Sequence, residues 1–181
     1  MRKVKIFLFL GIIFTIGSFI VHNKAYYYGL SSGIFSEKLP DFVRPRFSGA
    51  DLGNNGFYLI EKDVTVHVID SRSEIKTLSG NKIQLKRINA YGFSEKDIIL
   101  QITSIDDIIY FLNISYQDEK GYSYKQVDEI PRTYKYINLD KNLSYFKRFN
   151  LLKIFLMGIT IILISFLVKL SIIQLKVKKI S

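Results

Sequence analysis

Cysteine is absent from all 181 residues. That excludes disulfides, thiolate metal sites, thiol catalysis and lipid attachment through cysteine. A domain exported without disulfides must be held by its own core, which suits a bacterial envelope protein better than a disulfide-rich ectodomain. Tryptophan is also absent, and histidine occurs only as His22 and His67. Neither histidine belongs to a ligand-spacing pattern, so both read as ordinary histidines rather than metal ligands. There is no G-x-S-x-G, no phosphate-cradling glycine loop and no Ser-His-Asp set. We therefore expect no cofactor, no metal and no enzyme of a motif-bearing class.

Negative charge is missing from both ends. All 16 acidic residues lie between Lys24 and Asn150, together with 18 of the 26 basic ones, so that segment carries only +2 of the net +10. The other +8 is Arg2, Lys3, Lys5, Lys153, Lys169, Lys176, Lys178 and Lys179, in or beside two apolar stretches. Basic residues flanking apolar spans are orientation signals and contacts for anionic head groups. They do not form a duplex-binding face, and we expect no nucleic-acid partner.

The two apolar stretches are what the sequence does contain. Ile154 to Val168 is fifteen uncharged residues, all strongly apolar except Gly158, Thr160 and Ser165. At ~1.5 Å per residue this rises ~22 Å, short of a ~30 Å hydrocarbon core. Leu151, Leu152 and the run Leu170 to Leu175 lengthen it, while Lys153 and Lys169 snorkel to the interfaces. Apolar residues surround the whole circumference, which favours a span over a core helix. Ile6 to Val21 is a second uncharged run. The flank before Ala25 is a poor cleavage site, so an uncleaved anchor is expected rather than a signal peptide.

The expected layout is an α+β membrane protein, two transmembrane helices flanking a small antiparallel β-rich extracytoplasmic domain. The boundaries are a cytoplasmic tail at 1–5, a span at 6–22, the β-rich domain at 23–150, a span at 151–175 and a cytoplasmic tail at 176–181. Lysine and arginine at both ends place both termini in the cytoplasm of a bacterial cell membrane. Tyr26, Tyr27 and Tyr28 after the first span, and Tyr145, Phe146 and Phe149 before the second, would form belts at the outer head groups. Gly11, Thr15 and Ser18 fall on one helical face, and Gly158 and Ser165 are seven apart, so these small residues would let the spans pack. Neither span has an ionisable residue in its middle, which argues against a transporter.

Between the spans, residues 24–55 look irregular, with Pro40, Pro45 and several glycines, and a short helical turn at 31–35. From 56 to 116 the pattern turns to strands. Gly56 to Glu61, Val64 to Val68, Lys82 to Ala90, Asp97 to Thr103 and Asp107 to Ser115 are expected, with a hairpin at Ile105-Asp106. The stretches 98–100 and 108–112 are apolar on both faces and should lie at the centre of the sheet. Tyr122 to Val127 and Thr133 to Leu139 complete a meander of roughly five to seven strands. Residues 141–149 would begin the second helix outside the membrane. Asp51 to Gly56 faintly suggests a calcium loop, but a turn explains it. The pairs Asp106-Asp107, Asp118-Glu119 and Asp128-Glu129 read as solvated turn charges. The sequons at Asn113 and Asn142 matter only in a eukaryotic host.

The residues 51–53, 56–60, 88–93, 97–100 and 109–112 combine a glycine-aromatic strand, a tyrosine-containing turn and buried-type strands. In this they resemble small bacterial envelope β-meander domains of unknown function. The resemblance implies an envelope β-meander and no activity. The lipobox cysteine often found in such domains is missing here, and two spans stand in its place. The expected function is a non-enzymatic interaction module or accessory subunit of an envelope complex, with the lipid bilayer and a protein as partners. Tyr122 and Tyr124 on one strand, and Tyr134 and Tyr136 on another, are candidates for its contact face or else for core. The alternatives are an immunity-type protein against a membrane- or envelope-acting toxin, and an enzyme whose site follows no motif.

Overall fold

The computed structural model describes residues 2–32, 39–48, 56–61, 67–69, 73–117 and 121–178. Two apolar helices, α1 (Arg2–Tyr26) and α2 (Leu139–Lys178), stand at the ends of the chain. Within them Ile6–Tyr26 and Ile154–Ile173 are long and apolar enough to cross a membrane. The rest of the chain covers almost none of either stretch. The helices lie side by side and antiparallel, since the Phe7 ring stacks on Phe166 at 6.1 Å near the outer ends of the chain. A helix apolar on every side has no water-facing side, so by length and composition these two could cross a membrane.

Between the helices lie antiparallel sheets, giving an α+β arrangement. A small sheet has the order β1-β2-β3, from β1 (Val43–Phe47), β2 (Phe57–Glu61) and β3 (His67–Ile69). The large sheet runs in chain order through β4 (Glu74–Lys76), β5 (Lys82–Phe93), β6 (Ile98–Ser104), β7 (Ile109–Gln117) and β8 (Gly121–Val127). The short β9 (Lys135–Asn138) returns to pair with the second half of β5. The sheet curls strongly, and the turn after β4 meets β8, where Leu78 N donates to Tyr124 O at 2.9 Å.

The curl has a local cause. The pairing of β5 with β6 slips twice, between Leu85 and Arg87 and between Ile88 and Ala90. Each slip inserts a residue and sharpens bend and twist. The first half of β5 alternates, with Ile83 and Leu85 buried and Lys82 and Gln84 exposed; after the bulges every residue from Ile88 to Phe93 is buried. β6 is buried on both faces except at Gln101. Of the two strands expected at the centre, β6 holds that place. β7 does so only through Leu112 and Ile114, because Ile108 and Ile109 lie exposed at its mouth.

Register sets the core face. Ile98, Leu100 and Ile102 of β6 stand opposite Ile114, Leu112 and Tyr110 of β7, with Phe93, Tyr91 and Ile88 of β5 on the other side. The small sheet covers this face with Val43, Phe57, Leu59 and Ile69, and Phe57 stacks on Tyr91 at 5.5 Å. So residues 24–55 are not wholly irregular. Val43–Phe47 is a strand, and Pro45 fits because β1 is an edge that tolerates a missing N–H. Glu74–Lys76 is a second strand too short to show a period. Of Val64 to Val68 only 67 and 68 are described, and the turns expected at 31–35, 51–55 and 118–120 fall wholly or partly outside the described residues.

Tyr26, Tyr27 and Tyr28 do not form a lipid-facing belt. All three are buried in the domain core, along with Ala25. Their aromatic surface is drawn there because Phe93 and Tyr91 offer a matching apolar face. The chain then turns at Gly29, whose φ of 71° is left-handed and whose missing side chain leaves room for the backbone of Arg46. The side chains of Tyr145, Phe146 and Phe149 lie outside the described residues.

Candidate functional site

Three places merit inspection: the cleft between the helices, the joint where α1 enters the sheet, and the tip of the β6–β7 hairpin. The cleft has a volume of about 260 Å³ and is lined by Leu8, Gly11, Ile12, Thr15, Ile16, Thr160, Ile164 and Leu167. Its two hydroxyls are already used, Thr15 Oγ1 donating to Gly11 O at 2.8 Å and Thr160 Oγ1 to Leu156 O at 3.0 Å. The lining is therefore almost wholly hydrocarbon, and both of its hydroxyl protons are already committed. Gly11 and Thr15 share this cleft, Ser18 is buried, and Ser165 is exposed with its hydroxyl on Ile161 O. A Cβ added at Gly11 or Gly158 would meet nothing within 4 Å, so at those points the helices do not approach closely enough to need glycine. Thr160 lines the cleft too, and only the three-dimensional pairing of the helices reveals it.

The joint is built from aromatic rings. Tyr27 stacks on Phe93 at 5.8 Å, and Tyr91 OH donates to the carbonyl of Tyr27 at 2.5 Å. Lys135 of β9 donates from Nζ to Tyr27 OH at 2.8 Å and lies 4.4 Å from the ring centre. A cation over a ring face is attracted to its quadrupole. Burial pushes the Tyr91 hydroxyl well above its ordinary pKa, so it stays protonated as a donor. α2 is tied on by Arg87, whose Nη2 lies 3.5 Å from Asp140 Oδ2, and Asn138 Oδ1 caps it by accepting from Lys141 N at 2.7 Å.

The four tyrosines suggested by the sequence separate into two pairs. Tyr122 and Tyr124 pack against the core and donate to main-chain carbonyls at the small sheet, Tyr122 to Phe42 O, just before β1, at 3.2 Å and Tyr124 to Val68 O in β3 at 2.6 Å. They hold the two sheets together. Burial pushes the Tyr124 hydroxyl up to about 12, and burial with Glu61 nearby raises Tyr122 as well. Tyr134 and Tyr136 belong to the opposite face. Tyr136 is 50% exposed and its hydroxyl reaches Gln101 Oε1 at 3.3 Å. Tyr134 lies over Gly92, and its hydroxyl is 3.4 Å from Asp97 Oδ2.

The hairpin tip is a tight turn. Ser104 N donates to Ile108 O, Asp107 N to Ser104 O, and Ile108 N to Ser104 Oγ. Asp107 has φ 61°, unusual for a residue with a Cβ. Lys86 holds it through a 2.6 Å contact with Oδ1, a hydrogen bond that lowers the Asp107 pKa. Ile105, Ile108 and Ile109 stand around this turn 52%, 50% and 54% exposed. The sequence showed the turn through Asp106-Asp107, but not that the isoleucines beside it face outward. The signal was there in Ser104-Ile105-Asp106-Asp107-Ile108-Ile109, where branched residues occupy positions that turns normally give to polar ones.

Among the described residues no three of His, Cys, Asp and Glu gather as a metal site. No protein-family model, curated protein or solved structure matches the chain. The likeness to envelope β-meander domains therefore rests on the quoted residues alone.

Proposed function

We propose that this protein is a non-enzymatic interaction module, an accessory subunit of a bacterial envelope complex, held in the cell membrane by two spans. Both termini face the cytoplasm and the β-domain lies outside. The observation that carries this reading is the joint at Tyr27. The end of an apolar helix is built into the core of the β-domain, so the domain is displayed at a fixed attitude to the bilayer. A module that presents a surface to a membrane neighbour benefits from such rigidity, because less orientational freedom is lost on binding. The hydroxyls of Tyr91, Tyr122 and Tyr124 serve main-chain carbonyls of the fold itself, at Tyr27, Phe42 and Val68.

The absence of cysteine makes the topology directly measurable. Single substitutions Lys96→Cys, Lys3→Cys and Ser181→Cys are labelled in intact cells with a membrane-impermeant maleimide. Labelling at 96 alone is the expected result; labelling at 3 or 181 overturns the orientation. Release of the chain by alkaline carbonate overturns the membrane reading itself. Crosslinked purification from native membranes then tests the role. One dominant envelope partner at near-equal amounts is expected, whereas a secreted toxin as sole partner would replace this reading with the immunity one.

A further inference from the structure

We propose that the cleft between α1 and α2 seats one acyl chain of an anionic phospholipid from the cytoplasmic leaflet, with Lys5 at its head group. This rests on the membrane reading above and names a lipid site within it. The lining runs from Leu8 to Ile16 on α1 and from Thr160 to Leu167 on α2, inside the two apolar stretches. With both termini cytoplasmic, this is the half of the bilayer next to the chain ends. Small residues make the space. A Cβ at Gly11 would meet nothing within 4 Å, and Thr15 and Thr160 turn their hydroxyls back onto their own helices.

Shape and depth select the occupant. Leu8 to Ile16 covers ~12 Å of helix at ~1.5 Å per residue. A volume of about 260 Å³ over that length is a bore of roughly 20 Å², the width of one extended hydrocarbon chain. A helix is ~10–12 Å across and packs along its length, so a third helix does not enter. Two such clefts facing each other on two copies are concave against concave and leave the void open. A water molecule needs at least about two polar partners, and both hydroxyl protons here are committed. Left empty, the walls would forgo their dispersion contacts. Hydrocarbon chains are what the bilayer supplies at this depth.

Charge selects the head group. Lys5 precedes Leu8 by three residues, on the helical face where Ile12 and Ile16 follow. Arg2 and Lys3 lie one turn farther out, and α1 contains no acidic residue to oppose them. Asp140 is the only acid in α2, and it belongs to the other end of that helix. A basic group beside a cleft between spans, on the cytoplasmic side, suits a phosphate head group. Lys169 is nine residues from Thr160, which places it on the opposite face of α2 and outside the site.

The test uses the full chain, purified in mild detergent and offered phosphatidylglycerol and phosphatidylcholine with the same acyl chains. Native mass spectrometry counts the lipids that stay bound. One phosphatidylglycerol per chain is the expected result. Gly11→Phe fills the cleft and should cut the bound fraction at least tenfold. Gly158→Phe, whose side chain also enters open space but away from the lining, should leave it unchanged. Lys5→Gln should let the two lipids bind equally, and Lys169→Gln should keep the preference. Circular dichroism checks that the helices persist; if Gly11→Phe loses them, Thr160→Leu plugs the same cleft from α2. The proposal is overturned if the unaltered chain keeps no lipid or keeps both lipids equally, or if the plugged cleft binds as before. It is equally overturned if Lys5→Gln keeps the full preference, or if a protein or a second copy, rather than lipid, is lost on plugging. Carbonate release of the chain from its own membrane would instead overturn the membrane reading, and is scored separately.

Discussion

The helix pair and the β-domain are both rich in isoleucine, leucine and phenylalanine, yet they use them in opposite ways. In α1 and α2 the large apolar side chains are mostly exposed on all sides, as at Phe9, Ile16, Phe155 and Ile161. In the domain the same residue types are packed to near-zero exposure, as at Ile69, Ile98, Leu100 and Leu112. The rest of the chain leaves the apolar surface of the helices almost uncovered, while the domain buries its own. One vocabulary of residues thus yields an apolar helix surface and a core tuned to neighbours, and only the spacing tells them apart.

The sharpest way to test that contrast is the same truncation in both places. Leu100→Ala should destabilise the domain by about 2–5 kcal/mol, the usual range for a buried leucine. Ile161→Ala, 65% exposed on α2, should change stability by no more than about 0.5 kcal/mol. Urea unfolding in detergent micelles, followed by tyrosine fluorescence, measures both. Equal effects would mean that the helices possess a packed core of their own.

Glycine provides the second contrast. Gly29→Ala would force a Cβ into the backbone of Arg46 at a left-handed φ, and should cost at least about 1–3 kcal/mol. Tyr91→Phe, which removes the donor to Tyr27 O, should cost about 1–3 kcal/mol by leaving that buried carbonyl unsatisfied. If Tyr91→Phe proves neutral, the joint is held by ring packing alone. The domain also contains its own alkaline limit. Tyr124 is held up to about 12, so the folded state keeps its proton after the unfolded chain begins to lose it near pH 10. The stability from this residue is fully present below pH ~10 and falls as pH rises to ~12, and Tyr91 and Tyr122 add to it in the same direction. A pH series of melting temperatures should decline over that window, and Tyr124→Phe should flatten the decline. In the opposite direction, Gly158→Ala should stabilise α2 by about 0.5–1 kcal/mol, since its Cβ enters open space and alanine suits a helix better.

Much of the chain was legible in its sequence for a physical reason. The two apolar helices, β2 and the meander from β5 to β8 show as long uncharged runs or as alternation, and those signals survive folding. What was hidden falls into three kinds. β1 contains Pro45, and a proline speaks against a strand unless the edge position is known. Beyond Arg87, β5 loses its alternation because two bulges move successive residues onto buried faces. The tyrosine triplet was ambiguous, because an aromatic cluster beside a span has the same composition whether it meets head groups or a protein core. The contact-face tyrosines were ambiguous in the same way, and Tyr122 and Tyr124 are committed to holding the sheets together.

The bond from Lys135 to Tyr27 joins residues 108 positions apart. Synthesis at roughly 5–20 residues per second separates their emergence by about 5–20 s. α1 is thus complete long before the tyrosines that follow its apolar run have anything to pack on. Ala25 to Tyr28 must wait, apolar and uncovered, until β5 and then β9 arrive. The last strand to be made, β9, pairs with β5 and brings Lys135 to Tyr27, so the core is closed only when the whole segment between the two helices has been made.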